Sequence, residues 1–124
     1  MGFRIVTQPT EEPVTVDEVK AHLRIDGTDD DAMLAAMITA AREEAEHRLE
    51  RACARQTVQL LLDEFPEDIP LPMPPLVSIQ SVTYADADGN TQTVDSADFT
   101  TDVGQEPPWL LDATGNGWPT PGEF

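Results

Sequence analysis

The sequence predicts an α+β fold, with an N-terminal helical hairpin containing one long helix, then a small antiparallel β-sheet and hairpin region with proline-rich loops. Three observations carry that expectation. Apolar residues recur at helical spacing through residues 28–54, the period changes to two after residue 56, and residues 66–75 hold five prolines. A chain of 124 residues is expected to form a single domain, with a helical part over 1–55 and an acidic, β-rich part over 56–124.

Phe3–Thr7 suits a short strand or an arm, and Pro9–Pro13 a linker. Thr15 and Glu18 form a capping-box pattern, followed by Val16, Val19 and Leu23 at helical spacing. This first helix is expected to end near Arg24–Gly27, with Gly27 as its C-terminal cap. The second helix is predicted over Thr28–Ala54, roughly 40 Å at the standard rise, with Asp29 or Asp30 as its N-cap. Leu34, Ile38, Ala41, Ala45, Leu49 and Ala52 fall on one stripe; Met33, Ala36 and Ala40 lie opposite, so the first half is expected to be buried on two sides. In the second half, Glu43, Glu46 and Glu50 form an acidic ridge, and Arg48, Arg51 and Arg55 a basic ridge about 140° away.

Thr57–Phe65 alternates, with Val58, Leu60 and Leu62 on one face, and reads as a strand. Pro66–Pro75 reads as a stiff, extended connection. Leu76–Tyr84 is a second predicted strand, Asp86–Asn90 a hairpin turn, and Thr91–Val94 the returning strand. Short strands are predicted at Phe99–Val103 and Trp109–Leu111, and the remainder is rich in turns.

The chain carries 24 acids against 7 bases, a formal charge of −17. All seven bases (Arg4, Lys20, Arg24, Arg42, Arg48, Arg51 and Arg55) precede residue 56, and the twelve acids beyond it have no Lys or Arg among them. Such a surface cannot grip phosphates; it suits a non-sticking wall beside DNA or a basic protein partner. Cys53 is the sole cysteine, which excludes an internal disulfide, and its place beside the apolar stripe predicts a buried, inert thiol. No apolar run reaches the length of about 18 residues that a membrane span needs. The N-terminus lacks a secretory apolar core, and Val6 stands where myristoylation requires Ser or Thr, so a cytoplasmic origin is expected.

No residue pattern carries chemistry. Asp86, Asp88 and Asn90 match the start of a calcium loop, but Thr91 stands where glycine is required and Ala97 where the bidentate glutamate belongs. Asp26, Asp29, Asp30 and Asp31 suit a helix N-terminus without a metal. His22, His47 and Cys53 have no zinc spacing, and nucleophile-elbow, phosphate-loop and dinucleotide motifs are absent. The expectation is a non-enzyme with no metal or cofactor. Trp109 and Trp118, set among prolines and glycines, are candidate partner anchors, although either can close the end of a small sheet. The charged ridges are two solvated faces, with Glu44–Arg48 as an ordinary ion pair, or else the two sides of a head-to-tail subunit interface.

The succession PVTVDEVKAHLRID (Pro13–Asp26), DDDAMLAAMITAAREEAE (Asp29–Glu46), QTVQLLLDEFP (Gln56–Pro66), LPMPPLVSIQSVTYADADG (Leu71–Gly89) and GWP (Gly117–Pro119) resembles the head–tail connector, or adaptor, proteins of tailed phages, including prophage and gene-transfer-agent adaptors. The resemblance implies a virion structural protein of the particle neck, made in the bacterial cytoplasm. It implies a ring, commonly dodecameric, below the portal, extending the DNA channel toward the next connector or the tail. Implied partners are further copies, the portal protein and a connector or tail protein, with DNA only passing through. The family continues past the GWP region with a strand and a C-terminal helix expected to reach the portal, so portal contact is not assigned to residues up to Phe124. The competing expectation is an acidic, DNA-mimicking module that occupies a basic partner; a third is a calcium-dependent module.

Overall fold

The computed structural model describes residues 2–122. These form an α+β protein with the elements β1 (Gly2–Thr7), α1 (Val16–Leu23), α2 (Asp31–Leu49), β2 (Thr57–Leu61), β3 (Asp68–Pro70), β4 (Thr83–Ala85), β5 (Thr91–Thr93), β6 (Phe99–Asp102) and β7 (Trp109–Asp112). A 3₁₀ turn over Ser96–Asp98 precedes β6. β1 pairs with β2, and Arg4 Nε donates to Gln59 Oε1 at 2.7 Å. The chain divides into two compact units; Ile5–Val58 is one, and the other described residues make the second.

In the first unit α1 begins as the sequence requires. Thr15 Oγ1 accepts from the Glu18 amide at 3.1 Å, and Glu18 Oε1 accepts from the Thr15 amide at 3.2 Å. Its end differs from expectation. Arg24, at φ 58°, is the left-handed cap, and the Ile25 amide closes onto the Lys20 carbonyl at 2.9 Å; Gly27 lies beyond. Backbone closure within α1 therefore stops the helix before the glycine is reached. Lys20 Nζ meets Asp31 Oδ1 at 2.8 Å and ties α1 to the start of α2.

α2 has 19 residues and is roughly 28 Å long, shorter than the predicted helix at both ends. Asp30 is its N-cap without a side-chain hydrogen bond, and Glu50, at φ 53°, ends it by donating its amide to the Glu46 carbonyl. The buried row is Leu34, Ile38, Arg42 and Glu46, each four residues apart. Ala41 and Leu49, assigned to the apolar stripe from sequence, are exposed. Met33 and Met37 are also exposed, so within this chain the first half of α2 is covered on one side only.

In the second unit the central sheet has the order β3–β7–β6, antiparallel throughout, with Ile69 opposite Leu110 and Leu110 opposite Thr101. Ile69, Leu71 and Leu110 are the buried centre, and Leu60, Leu62, Phe65, Leu76, Ile79, Val82, Phe99 and Trp118 pack around them. The proline-rich stretch is thus not merely a connection, because it contains β3. Pro70 is tolerated there because β3 is an edge strand. The predicted strand over Leu76–Tyr84 shrinks to Thr83–Ala85. Leu76, Ile79 and Val82 do reach the core, but their spacing of three residues cannot keep one face of a pleated strand.

β4 and β5 pair around the predicted turn, in which the Asp86 amide donates to the Asn90 carbonyl at 2.9 Å and Gly89 takes φ 82°. The Gly122 amide reaches the Ala85 carbonyl at 2.9 Å, and a Cβ at residue 122 would collide with the Asp86 carbonyl. Close backbone approach therefore requires glycine here.

Candidate functional site

The six charged residues singled out from sequence do not make two continuous rows. Glu43 and Glu50 are exposed, but Glu46 is buried at 3 % exposure. Arg48 lies on α2 with a solvent-facing side chain, its Nε 2.6 Å from Glu44 Oε1. Arg51 is half-buried and Arg55 exposed, and both follow the end of α2. The helical wheel overextended the basic ridge because the helix stops at Leu49. For the same reason Cys53 is exposed rather than buried.

Glu46 belongs to a charged cluster that the sequence reading missed. The Arg42 side chain is 2 % exposed; its Nε is 2.6 Å from Glu12 Oε2 and its Nη1 3.1 Å from Glu46 Oε2. Thr39 Oγ1 donates to Glu12 Oε1 at 3.0 Å. Glu46 Oε1 accepts from the Cys53 amide and from Gln56 Nε2, both at 3.0 Å. The cluster clips the linker at Glu12 to the middle of α2 and folds the 51–56 segment back onto the helix end. A signal was available, since Arg42 lies four residues beyond Ile38 on the row that Leu34 begins.

Burial opposes the charge on Arg42, but its bonds and attraction to Glu12, with Glu46 adding to both, outweigh it and raise the guanidinium pKa. The hydrogen bond from Arg42, helped by Thr39, holds the Glu12 carboxyl below the ordinary glutamate range. The unfolded chain therefore takes up this proton more readily, and stability rises with pH through that region. In urea titrations, the advantage of the native chain over Glu12→Gln should be complete at neutral pH. It should shrink below about pH 4.3 and vanish once Glu12 is protonated in both states. A pH-independent difference would exclude the ion pair as its source.

Trp109 sits in β7 opposite Pro70 and Asp102. Trp118 stacks on Phe65 with centroids 5.1 Å apart and planes 7° from parallel, and its Nε1 donates to the Glu67 carbonyl at 3.1 Å. Tyr84 meets the same phenyl ring edge-on at 6.1 Å. Trp118 forms one wall of an open groove of about 800 Å³, rimmed by Glu64, Glu67, Asp68 and Asp112. Asp112 accepts from the Thr114 amide and hydroxyl and from the Gly117 amide, and these bonds, the hydroxyl's first, lower its pKa.

Asp86 is committed to its turn, accepting from the Asp88 and Asn90 amides and from Gln92 Nε2 at 2.8–3.0 Å. Asp31 is engaged by Lys20, and His22 and His47 are exposed. Among the described residues, no three His, Cys, Asp or Glu are grouped to hold a metal ion, and no helix is long and apolar enough to cross a membrane.

These features define a small acidic α+β protein with a buried ionic clasp and a charged surface. Residues 13–101 match the sequence profile of the phage gp6-like head-tail connector protein family, and the chain belongs to that family. It is a phage structural protein of the head–tail connection. No curated protein and no solved structure gives a match.

Proposed function

We propose that the chain is a single connector domain that assembles head to tail into a ring, dodecameric as its relatives' commonly are, below the portal of a phage, prophage or gene-transfer-agent particle. The ring extends the DNA channel and joins the head to the next connector or the tail. The observation that carries this reading is the family match over residues 13–101. The charge distribution supports it: an acidic half without a base lets DNA pass without adhering. In this reading the helical hairpin of α1 and α2 builds the ring, while the sheet and its proline-rich loops face the tail side. Glu43, Glu50, Arg48, Arg51 and Arg55 are the proposed subunit contacts, with Glu46 acting from inside to shape the segment that carries Arg51 and Arg55. Trp109 and Trp118 are the proposed anchors for neighbouring proteins.

The test is co-sedimentation with tailless, DNA-filled heads from the protein's own source, followed by negative-stain imaging. Ring-shaped density at one vertex is the expected result. Reversing Arg48, Arg51 and Arg55 to Glu should abolish assembly while the circular dichroism of the chain stays unchanged; a folded triple variant that still assembles rules these residues out. The formal charge of −17 also fits an acidic module that occupies a basic protein. That alternative requires a one-to-one complex competed by DNA, with no density at the vertex.

A further inference from the structure

We infer that the groove beside Trp118 docks an extended, arginine-bearing segment of a neighbouring basic protein. The inference rests on the connector reading, in which the chain's neighbours are proteins, and it gives the chemistry of the one that meets Trp118. The groove is open and encloses about 800 Å³. Its carboxylates come from two segments: Glu64, Glu67 and Asp68 around the start of β3, and Asp112 at the end of β7. Trp118 supplies an aromatic wall. Its ring lies flat against Phe65 and its Nε1 is committed to the Glu67 carbonyl, so it offers the groove π surface and no donor. Asp112 accepts from Thr114 and Gly117, which fixes the loop leading to Trp118. Among the described residues these carboxylates are not grouped to hold a metal ion, and the space is far larger than an ion needs.

Charge complementarity decides the occupant. The compact unit that contains the groove, Met1–Arg4 with Gln59–Phe124, carries twelve acids and a single base, Arg4, whose side chain bonds Gln59. Glu64, Glu67 and Asp68 are exposed, and among the described residues none of them is in an ion pair. Such a rim attracts cations and repels nucleic acid and anionic membrane surfaces. Each further copy of the chain brings the same net charge of −17, so copies do not offset one another, whereas a basic neighbour offsets the charge at every position of a ring. Arginine suits the groove best, because a guanidinium both stacks on an indole face and bonds a carboxylate in a two-pronged fork, which an ammonium does not. Carboxylates drawn from two segments call for separate cationic groups, and an extended chain carries these at a spacing.

The probe is a synthetic peptide of four Arg-Gly repeats, titrated at low salt into the ¹⁵N-labelled full chain. The amides of residues 64–68 and 112–118 and the Trp118 indole N–H should shift together and saturate at one peptide per chain. A Lys-Gly peptide of the same length should bind several-fold more weakly. Glu64→Gln with Glu67→Gln should weaken binding about tenfold, and the Glu67 group that holds Trp118 is its backbone carbonyl, which the substitution keeps. Asp29→Asn with Asp30→Asn removes the same charge from exposed positions before α2 and should change binding by less than about twofold. Equal losses in the two pairs, or shifts spread over the whole acidic surface, overturn the inference, because net charge then explains the binding. Spermidine that shifts the same residues as tightly also overturns it, since no segment is then required. On assembled particles, a photoreactive benzoylphenylalanine in place of Thr120, which lines the groove, should cross-link to an arginine-bearing segment of another protein. A cross-link to a second copy of this chain, or to a segment without cations, overturns the inference and leaves the ring reading standing. Peptide binding in the groove without density at any head vertex supports the groove chemistry and removes the connector reading instead.

Discussion

Arg42→Met should destabilise the chain by about 3–5 kcal/mol, the range for removing one partner of a buried ion pair. The side chain it replaces is 2 % exposed and lies between Glu12 and Glu46. Methionine fills much of the volume, so the loss is electrostatic. Glu46, whose side chain is 4 % exposed, is left as a buried carboxylate without its cation. Glu12 loses the bond that clips its linker to α2. Against a total stability of about 5–15 kcal/mol, the midpoint of thermal unfolding should fall on the order of 10–20 °C. Arg42→Met with Glu46→Leu should recover part of the loss, since a well-packed apolar pair can match a buried ionic one. Recovery should be incomplete, because the Cys53 amide and the Gln56 side chain both donate to Glu46. Calorimetry of the three proteins checks this. A single variant within about 1 kcal/mol of native would show that the clasp contributes no more than a surface pair.

Ile69→Ala should cost about 2–5 kcal/mol, through lost burial and an incompletely collapsed cavity. Ile69 is 2 % exposed and sits in a three-residue strand whose partner residue, Leu110, is itself 5 % exposed. The short edge strand β3 has few other apolar contacts to hold it, so its pairing with β7 should weaken with the side chain. Trp118 packs against the same cluster, so tryptophan fluorescence should shift to longer wavelength during unfolding at a lower denaturant concentration. Leu61→Ala is the control, because Leu61 is 50 % exposed and truncation there should cost about 0.5 kcal/mol or less. Equal losses at the two positions would show that β3 does not carry the core of this unit.

The features legible in the sequence were those settled locally. The Thr15–Glu18 box places the start of α1 because both of its bonds close within four residues. The Asp86–Asn90 turn follows from side-chain and backbone bonds inside the turn, with glycine at the positive-φ position. The α+β class followed from the change of apolar period, and short strands were expected where β6 and β7 lie. The family was legible from short motifs in succession, which the match over residues 13–101 bears out. Where α2 stops was not legible, because the segment beyond it is folded back by bonds from Cys53 and Gln56 to Glu46, in a cluster that also draws in Arg42 and, 30 residues before Arg42, Glu12. A helical wheel extends any periodic pattern past such a stop, and so it put Cys53 in the core; it put Glu46 on a surface ridge because it carries no sign of the bonds from Arg42, Cys53 and Gln56 that bury it. β3 was hidden by its prolines, since strand propensity marks only a fit to a half-buried pleat and here the pairing partner lies 41 residues on, at Leu110. Local bonding and composition thus determined the class, the turn chemistry, the family and the segregation of charge. Tertiary packing alone decided which charges are buried and which remain exposed, because burial depends on residues far apart in the chain.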